Sequence, residues 1–377
     1  MPDGISLVDP QSLSNDTLID LLKTALPNLP MDGKFELLQK YNTYPVCNQW
    51  FKQDKATFDS GTSIVRNVQL TENGSAKLTR PYAPSSPAVV DVQARLRANW
   101  TQATADFSIS RQETMRNRNT ARIVDLLKTR RAAAYADLCN LLEEYAWAAP
   151  SSTGDDLTPL GIPYWLVPAT IAQQTAGTGA HQGGNPSGFS DCGGIDASAT
   201  KNARWRNYND TWADASGDIT DDEVTKITKM LRRLQWEVPV FVTDANQPQY
   251  SRTRLYSCET TLQALETRAR AQNDNLGFDV GRYAGSTFVK NIPIAWAQLL
   301  DDATVQGDTV LGTNPFVAIN HDYFQPFVME GDFFRETGPM NDRNQHDVFT
   351  TFVDLQFNYI CTNRQKAGGI ISRKVTV

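Results

Sequence analysis

The residues of this sequence with the greatest capacity for chemistry are its histidines and cysteines, which are few and scattered. The histidines are three: His181, His321 and His346. The cysteines number five: Cys47, Cys139, Cys192, Cys258 and Cys361. A structural zinc site takes about four Cys or His ligands in local clusters, and no histidine here stands at ligand spacing from another His or Cys. We therefore predict no metal site and no cofactor. The odd, dispersed cysteines are typical of reduced thiols in a cytoplasmic fold.

A nucleophile and its base could be drawn from the glycine-rich stretch 175–194, which contains both His181 and Cys192. Such a pair needs a third group to orient it, and no third group is apparent. The run Gly177–Gly184 resembles a phosphate cradle only loosely, because a dinucleotide-binding motif follows a hydrophobic strand and opens a helix. We predict no catalytic residue, and a hydrolase with a site in this loop is the least favoured alternative.

Adjacent acids occur at three places, Asp155-Asp156, Asp221-Asp222 and Asp301-Asp302. Neighbours in sequence point in different directions, so none of these pairs predicts a metal or glycosidase site. The second pair falls at a predicted helix start, where acids interact favourably with the helix dipole. The chain carries 36 basic and 42 acidic residues, a net charge of −6, whereas a protein that grips nucleic acid over a broad surface is usually basic. Any contact with DNA is therefore expected to be local.

The length of the chain, 377 residues of which 40% are hydrophobic, allows two domains or one large elaborated domain. No stretch approaches the roughly 20 apolar residues that span a membrane. The opening Met1-Pro-Asp-Gly lacks a basic segment and a following apolar run, so we expect no secretion signal. The protein is expected to be made and used in the cytoplasm.

A long β-hairpin is predicted between residues 59 and 110. Its first strand covers Thr62–Leu70, Asn73-Gly74 is a turn signal, and the returning stretch Val90–Thr101 alternates in hydrophobicity over twelve residues. The apolar face carries Val90, Val92, Ala94, Leu96, Ala98 and Trp100. A phase shift near Thr101-Gln102 predicts a β-bulge. Because an isolated hairpin is marginal in water, the apolar face must be covered by the body of the same chain or by a neighbouring subunit.

A very long helix is predicted over Arg111–Ala148, because apolar residues recur at helical spacing and no Gly or Pro intervenes before Pro150. At ~1.5 Å per residue it would measure about 50 Å. Its first two-thirds are basic, and two interpretations remain open. The basic face could meet an acidic neighbour or a packaged genome, or it could be a solvated face with pairs along the helix.

Other elements follow from capping and periodicity. A short helix is predicted over residues 14–26, a second begins at a capping box formed by Thr220 and Glu223, and a third spans Thr260–Leu276 with Gly277 placed to end it. The remaining predicted strands are Val238–Thr243, Phe288–Leu299, Pro315–His321, Phe324–Phe334, Val348–Cys361 and Gly369–Val377.

This order of parts resembles the tailed-bacteriophage major capsid family, the Hong Kong 97-like fold. Two phrases support the resemblance: Trp205-Arg-Asn-Tyr-Asn209 before a capped helix, and Gly285–Trp296 with its Ile-Pro-Ile step. The resemblance implies an α+β fold with an N-terminal arm, an extended β-hairpin loop, a long spine helix, and peripheral and axial domains. The implied segments are 1–58 (arm), 59–110 (extended loop), 111–150 (spine helix), 151–310 (mainly axial domain) and 311–377 (closing strands of the peripheral domain returning to the axial domain).

What the resemblance implies about function is a structural role and no enzymatic one. Copies would form pentamers and hexamers of an icosahedral virion shell around double-stranded DNA, without sequence-specific binding and without a membrane. The short arm favours a separate scaffold protein, and a portal and decoration proteins are further implied partners. Candidate inter-subunit contacts are Val92, Leu96, Trp100, Lys77 and Arg80. Nothing in the sequence supplies a cross-linking partner for Lys77. The alternative is an encapsulating-compartment subunit or another phage structural subunit of a tail or tube.

Overall fold

A computed structural model describes residues 40–51, 56–80, 90–116, 120–176, 179–213, 219–235, 252–271, 287–290, 292–306, 310–341 and 347–373. The helix predicted over residues 14–26, the strand predicted over Val238–Thr243 and the cap predicted at Gly277 lie outside these residues.

The helices are mostly short, with one long exception. They are α1 (Pro45–Trp50), α2 (Arg111–Arg116), α3 (Thr120–Ala146), α4 (Ile162–Trp165), α5 (Ile171–Ala176), α6 (Asp221–Leu234), α7 (Glu259–Ala271) and α8 (Arg364–Ala367). Short 3₁₀ turns occupy Thr200–Asn202 and Gln298–Asp301.

The strands concentrate at the hairpin and in the second half of the chain. They are β1 (Thr57–Asp59), β2 (Ile64–Gln69), β3 (Gln93–Ala98), β4 (Thr101–Ser110), β5 (Ala180–Gly183), β6 (Asn207–Asp210), β7 (Thr253–Ser257), β8 (Phe288–Val289), β9 (Ile292–Trp296), β10 (Thr313–Asn320), β11 (Phe324–Met329), β12 (Arg335–Asn341), β13 (Val348–Cys361) and β14 (Gly368–Arg373).

The chain divides into two units. The larger comprises Asn42–Thr101, Glu143–Val328 and Phe357–Val377. Its main element is a seven-stranded sheet in the order β5-β6-β14-β10-β7-β9-β8. Strand β10 pairs antiparallel with β14 and with β7, while β14–β6 and β7–β9 are parallel. All but the first residue of β10 are buried, as expected for a strand in the middle of a covered sheet.

Helix α6 builds the core of the larger unit against this sheet. It starts at the predicted capping box, in which Glu223 accepts from the backbone N–H of Thr220 at 2.8 Å. Its apolar residues fall on one stripe and are buried with residues of β10, β14 and β7: Ile227, Met230, Leu231, Leu234, Phe316, Ile371 and Leu255. In the same unit, the last residues of β13 pair antiparallel with β11, from Val328↔Phe357 to Phe324↔Cys361.

The smaller unit contains Gln102–Leu142 and Met329–Gln356. Here β12 pairs antiparallel with β13, and β4 also pairs with β13. Along this part of β13 burial alternates, so that one face is inside and the other outside. Four predicted stripe residues of the long helix are buried: Leu127, Ala134, Leu138 and Leu142.

Several predicted elements differ from the observed ones. The predicted twelve-residue strand is two strands, because Asn99 and Trp100 interrupt it between β3 and β4. There the carbonyl of Asn99 accepts from Asn358 and the Trp100 ring bonds to Gly61, so the backbone leaves the hairpin ladder about two residues before the predicted bulge. The predicted spine helix is described as α2 and α3.

Two strands predicted later in the chain were too long. The strand predicted over Phe324–Phe334 ends at Met329, because a turn with Gly331 at φ +91° follows, and β12 was not predicted at all. The strand predicted over Phe288–Leu299 is β8 and β9, with Lys290 at positive φ between them. The helix predicted to Leu276 is described to Ala271, and the closing strand is described over Gly368–Arg373.

Candidate functional site

The hairpin predicted as the contact element is present in the larger unit as a two-stranded sheet. Its register pairs Ile64 with Ala98 and Arg66 with Leu96. The N–H of Leu70 donates to the carbonyl of Val92 at 3.0 Å, which extends the ladder beyond β2. Pairing therefore ends near these two residues, and the connecting segment beyond them has no regular structure as far as residue 80.

One face of the hairpin is covered by the chain itself. Leu96 is inaccessible to solvent, and the N–H of Arg97 donates to the carbonyl of Gly193 at 2.9 Å. Gly193 has φ +65°, and a Cβ there would lie 2.8 Å from the Trp165 ring and 3.2 Å from Leu96 Cδ1. Only glycine allows the loop to approach so closely.

Leu96 is therefore not a free surface for another subunit, which corrects its selection as a contact candidate. Alternation in hydrophobicity shows that a face must be covered, but it does not show what covers it. Val92 and Trp100, on the same predicted face, are half-buried. The Trp100 indole N–H donates to the carbonyl of Gly61 at 2.9 Å, which fixes the ring against the start of β2.

The connecting segment is the opposite case, because residues 72–80 are all exposed. Lys77 and Arg80, two of the predicted contact candidates, lie here with Leu78 between them, and the Leu78 side chain is fully exposed. Leu78 was not among the predicted contact candidates, since this leucine belongs to no alternating or helical pattern. Its signal is a lone large apolar residue between two cations, next to a turn at Asn73-Gly74.

The base of this segment is tied to the body by Arg204 and Glu72, 2.9 Å apart. Both side chains are exposed, so the pair contributes at most about 1 kcal/mol. The outer face of the hairpin is also open: Val65 and Arg97 are register partners and both are exposed. The exposed surface of the hairpin thus combines cationic and apolar side chains.

A buried carboxylate holds helix α1 in the larger unit. Glu143 accepts from the N–H groups of Val46 at 3.2 Å and Cys47 at 2.9 Å, and from the indole N–H of Trp147 at 3.3 Å. These backbone donors belong to the first turn of α1, which has no partner for them within the helix. Burial raises the pKa of Glu143.

The other end of α1 is fixed by Trp50, which is buried and stacks on Phe324 at 5.0 Å. Its indole N–H donates to Nδ1 of His321, and Nε2 of His321 bonds the Tyr256 hydroxyl at 2.9 Å. Because the indole can only donate, Nδ1 is the acceptor. His321 is therefore a core residue that helps to anchor α1.

In the smaller unit, two arginines of the basic helix face have partners in their own chain. Arg130 makes two bonds of 2.8 Å to Glu113 of α2, and Arg131 lies 2.6 Å from Glu336 of β12. Burial and Glu336 raise the pKa of Tyr135, which donates to the same carboxylate, to about 12. These two arginines therefore pair with acids of other elements of their own chain, and not along α3 as the solvated-face interpretation expected.

A second apolar surface lies on the outer face of the sheet in the smaller unit. Phe352 and Met340 are exposed there, on strands that pair Thr337 with Phe352 and Met340 with Thr350. Nearby, Arg335 is bonded to Asp332 at 3.1 Å. Exposed apolar residues on the outer face of a sheet, rimmed by polar groups, are typical of interaction surfaces.

The residues considered for chemistry are engaged in structure. Burial raises the pKa of the Cys192 thiol to about 11, so this group is protonated at neutral pH and is a poor nucleophile. The His181 ring packs on the Tyr208 ring at 5.6 Å. Asp221 pairs with Arg268 at 2.6 Å, and Asp301 accepts from the Trp296 indole at 2.7 Å.

Within the described residues, no group of three or more His, Cys, Asp or Glu side chains could hold a metal ion. A search of the same residues finds no helix whose length and apolar character would let it cross a membrane.

Comparison with solved structures identifies the fold. One chain of the cyanophage A-1(L) capsid asymmetric unit aligns with 97% of this chain over its whole length, at 12% identity and a TM-score of 0.61. The capsid of Myoviridae phage XM1 aligns with 92% of this chain and 97% of its own, at 10% identity and a TM-score of 0.49. No protein-family model and no curated protein matches the sequence. The chain has the fold of a phage capsid subunit, and the predicted Hong Kong 97-like α+β fold is confirmed.

Proposed function

We propose that this protein is the major capsid protein of a tailed phage, which self-assembles into the icosahedral shell enclosing the double-stranded DNA genome. The observation that carries the proposal is the end-to-end alignment with a capsid chain, 97% of one and 100% of the other, at a TM-score of 0.61.

Assembly would use the surfaces that a single chain leaves open. The connecting segment of the hairpin presents Lys77, Leu78 and Arg80, with the half-buried Val92 beside it. Trp100 keeps half-buried surface at the other end of the hairpin, near Gly61. Burial of a fully exposed leucine contributes about 1.5–3 kcal/mol. Each contact is therefore modest, and a closed shell gains stability because every subunit is held by several neighbours at once.

The net negative charge of the chain is consistent with a shell that encloses DNA without binding it tightly. A net charge of −6 and the internal pairing of Arg130 and Arg131 support enclosure of DNA without sequence-specific binding. We further propose that assembly in the host cytoplasm depends on a separate scaffold protein, and that a portal and decoration proteins join the finished virion. No catalytic step is assigned to the subunit, in keeping with the protonated, buried thiol of Cys192.

The test is negative-stain electron microscopy with light scattering, on the protein expressed alone and with candidate scaffold proteins encoded beside it. We expect closed shells, or rings of five and six subunits, in at least one of these preparations. Nucleic acid in shells recovered from infected cells supports the capsid role, and a protein cargo in its place favours the encapsulating compartment. A monomer in every preparation contradicts the proposal.

A further inference from the structure

Three basic side chains gather at one edge of the seven-stranded sheet. His181 lies on the edge strand β5, Arg233 in the last turn of α6, and Lys366 on α8. Helices α6 and α8 contact each other, and both contact β6, the neighbour of β5. Residue 181 is the register partner of Tyr208 on β6. Three separate elements of one unit thus place these residues near one edge of the sheet, where the charges of Lys366 and Arg233 act on the His181 ring.

No acid of the described residues balances this cluster through an ion pair with Arg233 or Lys366. Lys366 is half-buried, and burial lowers the pKa of its ammonium group. Burial, then the charges of Lys366 and Arg233, lower the pKa of His181 to about 4. Asp210 of β6 lies two residues from Tyr208, and its carboxylate accepts from the Tyr208 hydroxyl at 3.1 Å and from the Thr211 N–H at 2.9 Å.

The imidazole of His181 also has a ring nitrogen without a hydrogen-bond partner among the described residues. This atom, Nδ1, is buried. A buried polar atom without a partner costs free energy comparable to a lost hydrogen bond, and like charges held close together add to that cost. Both costs disappear when an anion occupies the cluster, because it accepts from the imidazolium and compensates the two cations.

We propose that His181, Arg233 and Lys366 form a binding site for a phosphate oxyanion. An ammonium group and a guanidinium from different directions suit an anion with several acceptor oxygens, and phosphate is the common biological anion of that kind. The ligand is either free inorganic phosphate or a phosphodiester of nucleic acid. This site is independent of the proposed shell function, since it lies within one subunit.

The test measures the protonation of His181 directly. Hydrogen–deuterium exchange at histidine Cε1 is followed by mass spectrometry, a method that applies to free subunits and to large assemblies. Exchange is followed against pH in chloride and in inorganic phosphate at equal ionic strength. A bound anion favours the imidazolium, so we expect phosphate to raise the pKa of His181 by roughly one unit, which corresponds to tenfold tighter binding to the protonated form. The exchange profile of His321, whose two ring nitrogens are both bonded in the core, should not change.

Variants decide whether the site is the one proposed. Lys366→Met and Arg233→Gln should each abolish the phosphate-dependent rise, while the matched control Arg232→Gln, an exposed cation on the same helix, should retain it. Absence of a rise in the wild-type protein, or a rise that survives in the Lys366→Met/Arg233→Gln double variant, overturns the proposal. A short DNA duplex then distinguishes the sources: a rise at lower phosphate-group concentration assigns the phosphodiester, and a rise with inorganic phosphate alone assigns the free anion.

Discussion

The rest of the chain buries one end of the hairpin and leaves the other end exposed. At its base, Leu96 is inaccessible to solvent and the backbone of Arg97 is bonded to the loop at Gly193. In the connecting segment, residues 72–80 are all exposed and Leu78 has no cover. The base behaves as part of the core of the larger unit, and the segment behaves as a surface for something else.

This difference separates two physical roles that sequence patterns do not distinguish. Burial within one chain contributes to the folding of the subunit, whereas surface that stays open contributes only when a second molecule covers it. Substitutions at the base should therefore act on the stability of the subunit, and substitutions in the connecting segment should act on association.

Leu96→Ala should destabilise the subunit most. A buried leucine truncated to alanine loses its transfer free energy and leaves a cavity, at a cost of about 2–5 kcal/mol. Val65→Ala, at an exposed position of the neighbouring strand, is the matched control and should change stability by less than about 0.5 kcal/mol. Urea denaturation of the two variants measures both values. Equal effects would show that the base is not covered as described.

Glu143→Ala should rank second. It leaves the N–H groups of Val46 and Cys47 without their acceptor in a buried place, at a cost of about 2–4 kcal/mol. Glu143→Gln is the matched variant, because it keeps the shape of the side chain but has one acceptor oxygen where the carboxylate uses two. Its NH2 group would face one of the two backbone donors, so its loss of stability should lie between wild type and alanine. A loss as large as that of alanine would mean that the remaining acceptor oxygen does not hold α1.

The stability of the subunit should fall as the pH is lowered from 6.5 toward 4, in part through His181. Its pKa in the folded protein, about 4, lies below its ordinary value of 6.5, so the unfolded chain binds the proton first. Stability from the neutral imidazole is therefore complete above pH 6.5 and is lost as the pH approaches 4. His181→Gln should flatten this dependence in denaturation midpoints measured between pH 7 and 5. An unchanged slope would contradict the assignment.

Much of the fold could be predicted from periodicity and capping. The capping box at Thr220 and Glu223, the fourteen-residue strand Val348–Cys361 and the buried stripe of α3 are local patterns, and each is confirmed. The short strands β5, β6 and β7 were not predicted, because they are buried polar or mixed segments whose partners lie far along the chain. Asn207 and Asn209 are fully buried in such a strand, where propensity alone predicts a loop.

The candidate contact surface was predicted only in part. Lys77 and Arg80 lie in the open segment, as a turn signal at Asn73-Gly74 predicts. Leu96 was predicted as an inter-subunit contact, but a loop of the same chain covers it. That glycine loop lies almost 100 residues further along the chain, and no local sequence pattern indicates the contact. Leu78 was missed since exposure of a single leucine depends on what the whole chain leaves uncovered.

The connecting segment should have the smallest effect on stability. Leu78→Ser should change the stability of the subunit by less than about 0.5 kcal/mol, because the side chain makes no contact to lose. Leu78 therefore tests both the proposed inter-subunit contact and the proposed capsid role. A surface that only a neighbouring subunit can cover is needed only in an assembly.

Sedimentation velocity of wild-type protein and Leu78→Ser, prepared under the conditions that yield shells, tests this claim most directly. We expect fast-sedimenting shells from the wild type and mainly free subunits, with an unchanged melting temperature, from the variant. Shells of equal yield and sedimentation coefficient from both proteins would contradict the assignment of the connecting segment as the inter-subunit contact.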